Sequence, residues 1–107
     1  MKFLRLVPLL GAILLPGAAF AQYPIIFNHI KTTNLTQEEC VDNAGAAMRR
    51  AGFTKNFEFI GSGAFGVRGR YSASIRCVAD RRIVFFAVAG PDNQTASDLV
   101  EELQNTF

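Results

Sequence analysis

The sequence contains no tryptophan, a single histidine and only two cysteines. One histidine, His29, is a weak basis for a metal site or a Ser-His-Asp triad. The cysteines, Cys40 and Cys77, are too far apart in sequence for a Cys-x-x-Cys redox motif. No pair of carboxylates is placed as a general acid and base. These absences predict a protein that is not an enzyme and that holds neither a metal nor another cofactor.

Long apolar runs are also lacking, except at the N-terminus. Lys2 precedes a short apolar run over 4–15, and Arg5 lies near its start. Small residues follow the run and end at Ala21. This is the three-part pattern of a secretory signal, and the run is too short to anchor the chain in a bilayer. We therefore predict a signal peptide over residues 1–21.

Cleavage is expected between Ala21 and Gln22, and it would leave a single domain over residues 22–107 with no membrane-spanning segment. The product is expected in the periplasm or the external medium. Without Lys2 and Arg5 the 11 basic residues fall to 9, which equals the number of acidic residues. A neutral domain lacks the positive field that general nucleic-acid binding requires, so no nucleic-acid partner is predicted.

The two cysteines are expected to form a disulfide, because an exported chain with an even cysteine count usually pairs them. Cys40 belongs to the apolar stripe of a predicted helix, and Cys77 belongs to the apolar side of an alternating strand. Two independent periodicities therefore direct both sulfurs toward one interior. Chain-entropy arguments assign about 4 kcal/mol to closing a loop of this length.

Two helices are predicted from their end signals and apolar stripes. Thr36 and Glu39 form a capping box, and Gly52 is placed to end the first helix after Ala51, with Phe53 folding back. The second helix follows the break at 90–93. Its apolar stripe comprises Ala96, Leu99, Val100, Leu103 and Phe107.

Strands are predicted at 23–33, 57–60, 71–79 and 83–89. The third alternates apolar and polar residues, whereas the last is apolar throughout, as in a central strand. The resulting order is β-α-β-β-β-α, which predicts an α+β fold. Short connections favour one mainly antiparallel sheet, with both amphipathic helices packed on the same face.

A glycine-rich segment over 61–69 contains the literal pattern G-x-G-x-x-G at 61–66. A dinucleotide site requires these glycines to open a helix within a βαβ unit, whereas the residues that follow here are typical of a strand. A kinase phosphate loop would have valine at position 68, where this sequence has Arg68. We therefore predict a bulged hairpin or a flexible crossover, and contact between this segment and a partner stays open.

Arginine offers the best indication of a binding surface. Arg68, Arg70 and Arg76 lie on or beside the predicted meander, and we expect them to line the sheet face opposite the helices. Such a face would bind a protein or an anionic ligand. His29 is expected on the exposed side of its strand, and Glu58, between two phenylalanines, on the solvent face.

The run Ile75-Arg76-Cys77, the segment 84–90 and Cys40 in a capped helix resemble small exported bacterial proteins with no assigned activity. The resemblance covers most of residues 36–107 and implies no catalytic residue. Our leading hypothesis is a small extracytoplasmic binding module. A secreted inhibitor or effector that inserts the glycine-rich segment into a target is the alternative, and a small hydrolase ranks last.

Overall fold

The structure, a computed structural model, describes residues 24–107, so the predicted signal peptide and its cleavage site at Ala21–Gln22 lie outside the described residues. Among residues 24–107 there is no helix of the length and hydropathy needed to cross a membrane. The elements are β1 (Ile25–Thr32), α1 (Gln37–Arg50), β2 (Lys55–Ile60), β3 (Gly63–Arg68), β4 (Tyr71–Val78), a short 3-10 turn (Ala79–Arg81), β5 (Ile83–Gly90) and α2 (Asn93–Thr106).

The strands form one antiparallel sheet in the order β1-β5-β4-β3-β2. Consecutive hairpins build a meander from β2 to β5, and β1 is added beside β5. The predicted α+β class, antiparallel sheet and two-helix arrangement are confirmed. The sheet holds one strand more than the four we placed, because the glycine-rich segment contributes β3. Of the two alternatives predicted for this segment, the bulged hairpin is found: β3 pairs with β2, with a register shift between Lys55 and Glu58.

Helix α1 begins and ends at the predicted signals. The Thr36 hydroxyl accepts from the Glu39 N–H at 3.1 Å, and the Glu39 carboxylate accepts from the Thr36 N–H at 3.0 Å. At the other end Gly52 takes a left-handed conformation (φ +86°), which allows the N–H of Phe53 to donate to the Met48 carbonyl. The reversal buries the Phe53 ring completely.

Both helices lie on one face of the sheet, where α1 packs on β3 and β4 and α2 packs on β1 and β5. The core between the two layers is apolar and rich in small residues on α1, which lets that helix approach the sheet closely. Its largest fully buried side chains are Met48, Phe53, Ile75, Val84, Phe86, Val88 and Leu103.

The predicted disulfide is confirmed. Cys40 in the first turn of α1 is bonded to Cys77 near the end of β4, with the Cα atoms 6.0 Å apart. Both cysteines are almost fully buried. The bond joins the helix layer to a central strand, and it closes a loop that contains most of α1 and all of β2 and β3.

Candidate functional site

The sheet face that points away from the helices, called the outer face below, carries no covering element among the described residues. Directly opposed residues of antiparallel strands share a face. Because Ala73, Ile75 and Cys77 of β4 are buried under the helices, their neighbours Ser74 and Arg76 belong to the outer face. The strand registers then assign the corresponding residues of the other four strands.

The outer face is largely apolar. Ile26 and Ile30 of β1 are 63% and 56% exposed, and Ile60 at the opposite edge is 45% exposed. Between them the registers place further apolar residues of β3, β4 and β5, all of them half-buried: Phe65, Val67, Val78, Ile83, Phe85, Ala87 and Ala89. A monomeric sheet with one solvated face ordinarily alternates apolar and polar residues, so this face departs from the usual pattern.

Three charged side chains stand on the outer face: Arg76 of β4 on one side of β3, and Glu58 and Lys55 of β2 on the other, where Lys55 lies opposite Val67. Arg76 of β4 donates from Nε to the Ser62 hydroxyl at 3.3 Å. Glu58 of β2 lies opposite Phe65 and is exposed, as predicted. None of the three forms an ion pair among the described residues. The ion pair found there joins Arg68 to Glu102 on the helix side.

The three candidate arginines do not share one face. Arg68 lies on the helix side of the sheet, where one guanidinium nitrogen donates to the Ala51 carbonyl at 2.8 Å and to Glu102 at 3.2 Å. We expected it on the outer face. The register of β3 explains the difference, since Arg68 follows Ala64 and Gly66 on the buried side.

Arg70 occupies the turn between β3 and β4 and is exposed, so of the three predicted residues Arg76 is the one that lies within the outer face. This placement removes the concentrated positive charge on which binding of a small anionic ligand would depend.

The glycine-rich segment serves packing. A Cβ at Gly66 would collide with the Phe53 carbonyl oxygen, and one at Gly63 would collide with the Ile75 carbonyl oxygen. Both glycines therefore allow neighbouring backbone to approach β3. The turn into β3 is tight, at Gly61 and Ser62, so the segment offers no long projecting loop.

His29 lies on the helix side of β1, because it opposes the buried Phe86, but it is exposed since β1 is the edge strand. It lines an open groove of about 430 Å³ between β1 and α2, together with Glu101 and Asn105 of α2. Lys31 shares this side and donates to the Gln104 carbonyl at 3.5 Å.

The described residues provide little for acid–base or metal chemistry. They contain no cluster of three or more potential metal ligands and no buried polar or charged side chain. The pKa of Asp92 is lowered, chiefly because its carboxylate accepts from the backbone N–H of Thr95, and also from the Thr95 hydroxyl. Both contacts are those of an N-cap, so the lowered pKa reflects the capping of α2 and does not indicate catalysis.

Sequence reasoning missed the apolar character of the outer face. The available signal was β5, whose residues are apolar on both sides although helices were predicted on only one face of the sheet. Comparison with known proteins supplies no relative from which a binding residue could be transferred: no protein-family model matches the chain, and a search of curated proteins finds no match either.

Proposed function

We propose that this chain is a small exported binding module that recognises another protein through its outer face. The observation that carries the proposal is the uncovered apolar surface, with Ile26 and Ile30 each more than half exposed. Contiguous apolar surface of this kind is characteristic of protein interaction sites. The signal-like N-terminus and the disulfide support an extracytoplasmic location, either the periplasm or the external medium.

The chemistry of the outer face favours a protein over a small anion. The outer face carries two separated cations, Arg76 of β4 and Lys55 of β2, and most of its remaining area is apolar. A partner that fits would present an apolar surface of similar size with one acidic group opposite Arg76. A phosphate or carboxylate ligand alone would leave most of the apolar surface in contact with water.

Site-specific photo-cross-linking tests the proposal. A photoreactive residue is placed at Ser74, near the middle of the outer face, and in a matched control at Asp42, which is exposed on α1. In cells that export the chain, we expect a discrete adduct at position 74, identified by mass spectrometry, and none at position 42. No adduct at 74, or the same adducts at both positions, would refute it.

Export is tested by the intact mass of the chain purified from an exporting host without reductant. We expect the mass of Gln22–Phe107 less two hydrogens, because the leader is removed and the disulfide is formed. Retention of residues 1–21 in the mature protein would contradict it. The inhibitor and hydrolase alternatives stay predictions, and no contact described above favours either.

A further inference from the structure

We infer that the free edge of β1 binds an extended segment of another protein, which adds a strand to the five-stranded sheet and carries a basic residue on its helix side. The inference goes beyond the outer face, because the bonds that would hold the added strand come from the β1 backbone. Strand addition of this kind gains its affinity from main-chain hydrogen bonds and its specificity from alternate side chains.

The hydrogen-bond pattern of β1 leaves every second residue free at the edge. The Thr33 N–H donates to the Arg82 carbonyl at 3.0 Å, and the register between β1 and β5 continues without a break along the whole of β1. Bonded positions alternate in an antiparallel pair, so alternate residues of β1 direct their N–H and C=O groups away from β5, where no other described strand lies. These residues are Ile26, Asn28, Ile30 and Thr32.

The two edges of the sheet differ in how they are protected. Strand β2 is six residues long, its register with β3 shifts between Lys55 and Glu58, and Asn56 takes a left-handed conformation (φ +53°). Short length and irregularity of this kind hinder the pairing of a further strand. Strand β1 is eight residues long and regular, and its one lysine, Lys31, is held on the helix side by the Gln104 carbonyl. Of the two edges formed by residues 24–107, that of β1 is therefore open to strand addition.

The groove between β1 and α2 would receive the helix-side side chains of the added strand. Its α2 wall carries Ser97, Glu101 and Asn105 at four-residue spacing, which places them in one polar row along the helix. The residues that line the groove include one carboxylate, Glu101, and no lysine or arginine. Among the described residues Glu101 forms no ion pair. A basic side chain of the added strand would therefore meet an unpaired carboxylate of opposite charge.

The outer side of the added strand would meet apolar residues. Ile26 and Ile30 are the most exposed of the large apolar side chains in the described part of the chain. Directly opposed residues of neighbouring strands have Cβ atoms about 5 Å apart, so apolar residues at alternate positions of the added strand would cover both isoleucines. The segment that fits alternates apolar residues with polar ones that include a lysine or an arginine.

The test uses the fluorescein-labelled peptide Val-Lys-Val-Lys-Val-Lys-Val and the exported chain with its disulfide intact. Fluorescence anisotropy should show saturable binding with a Kd below about 500 μM, an affinity suited to a short peptide that becomes ordered on binding. Asn28→Pro removes an N–H at the centre of the edge and should weaken binding about tenfold or more. The control Asn28→Ala keeps that N–H and should bind like wild type. Melting temperatures confirm that each variant is folded.

Charge exchange tests the groove. Glu101→Lys should weaken binding of the basic peptide about tenfold and should allow the acidic peptide Val-Glu-Val-Glu-Val-Glu-Val to bind, because the charge beside the added strand is reversed. The control Asp98→Lys makes the same change of charge on α2 at an exposed residue outside the groove, and it should alter neither affinity.

Amide hydrogen exchange provides a residue-level measurement. The basic peptide should slow exchange at Ile26, Asn28 and Ile30 by about tenfold near saturation, because their N–H groups become bonded. Phe27 and His29 are already bonded to β5 and should change little. Slowed exchange confined to other residues would place the peptide elsewhere and would contradict the inference.

Three further results would overturn the inference. They are no saturable binding of the basic peptide up to about 1 mM, binding that Asn28→Pro leaves unchanged, and equal effects of Glu101→Lys and Asp98→Lys. A dimer in sedimentation velocity that Asn28→Pro abolishes would assign the edge to a second copy and would also overturn it.

The outcome for the proposed function is read separately, from the cross-link at Ser74. A protein adduct at position 74 without peptide binding would overturn the edge site and leave the outer-face module supported. Peptide binding at the β1 edge without an adduct at position 74 would support the edge site and refute recognition through the outer face.

Discussion

Opening the Cys40–Cys77 disulfide should destabilise this domain severely. The bond joins residues 37 positions apart, and restricting the unfolded chain over such a loop contributes about 4 kcal/mol to the free energy of unfolding. A domain of this size has only about 5–10 kcal/mol in total. Each kcal/mol corresponds to about 4–8 °C, so reduction should lower the melting temperature by roughly 15–30 °C.

Thermal unfolding followed by circular dichroism, with and without reductant, measures this effect. Reduction breaks the S–S bond and leaves the amino-acid sequence unchanged, so the comparison measures the effect of the covalent link. The double variant Cys40→Ala/Cys77→Ala is the control: it should melt near the reduced protein, and reductant should not shift it further. A reduced protein that melts within about 5 °C of the oxidised form would refute the loop-entropy reasoning.

Three further predictions concern the elements that position the sheet. Thr36→Ala should cost about 1 kcal/mol of unfolding free energy by removing the α1 cap, whereas Thr36→Ser should cost little; equal losses in urea titrations would contradict the capping role. Gly66→Ala should cost about 1–3 kcal/mol, because its Cβ would meet the Phe53 carbonyl, and an unchanged denaturation midpoint would refute that contact. The pKa of Asp92 is lowered in the folded state, so its carboxylate stabilises the fold. This stabilisation is fully present above the pKa of the unfolded state, about 4, and is lost as the pH falls through the folded pKa. Asp92→Asn should therefore show a smaller fall in melting temperature between pH 5 and pH 2 (about the range of carboxyl titration) than wild type, and identical profiles would contradict this assignment.

Local signals in the sequence were sufficient for α1, because its ends are determined by residues close in sequence. Thr36 and Glu39 bond each other across one turn, and Gly52 is the residue type that adopts a left-handed conformation without a Cβ clash. The disulfide followed from two periodicities that each specify one face. In both cases the decisive interactions are short-range or follow a regular repeat.

Strand β3 and the direction of the Arg68 side chain could not be predicted from short-range signals or regular repeats. The segment from Gly63 has low intrinsic strand propensity, and it pairs with β2 and β4 because glycine admits the Phe53 and Ile75 carbonyls at close range. That reason lies in residues distant in sequence. Once β3 exists, its register determines that Arg68 faces Glu102, and the predicted arginine cluster is divided.

Strand β5 is apolar on both of its faces, although helices cover only one of them. Its helix-facing residues Val84, Phe86 and Val88 are fully buried, which accounts for their apolar character. Its outward residues Ile83 and Phe85 are equally apolar, yet no described residue covers them from that side. A strand buried on both faces ordinarily has this composition, whereas a half-solvated one alternates. The composition of β5 therefore agrees with the proposed function, in which the apolar surface of a protein partner covers the outer face.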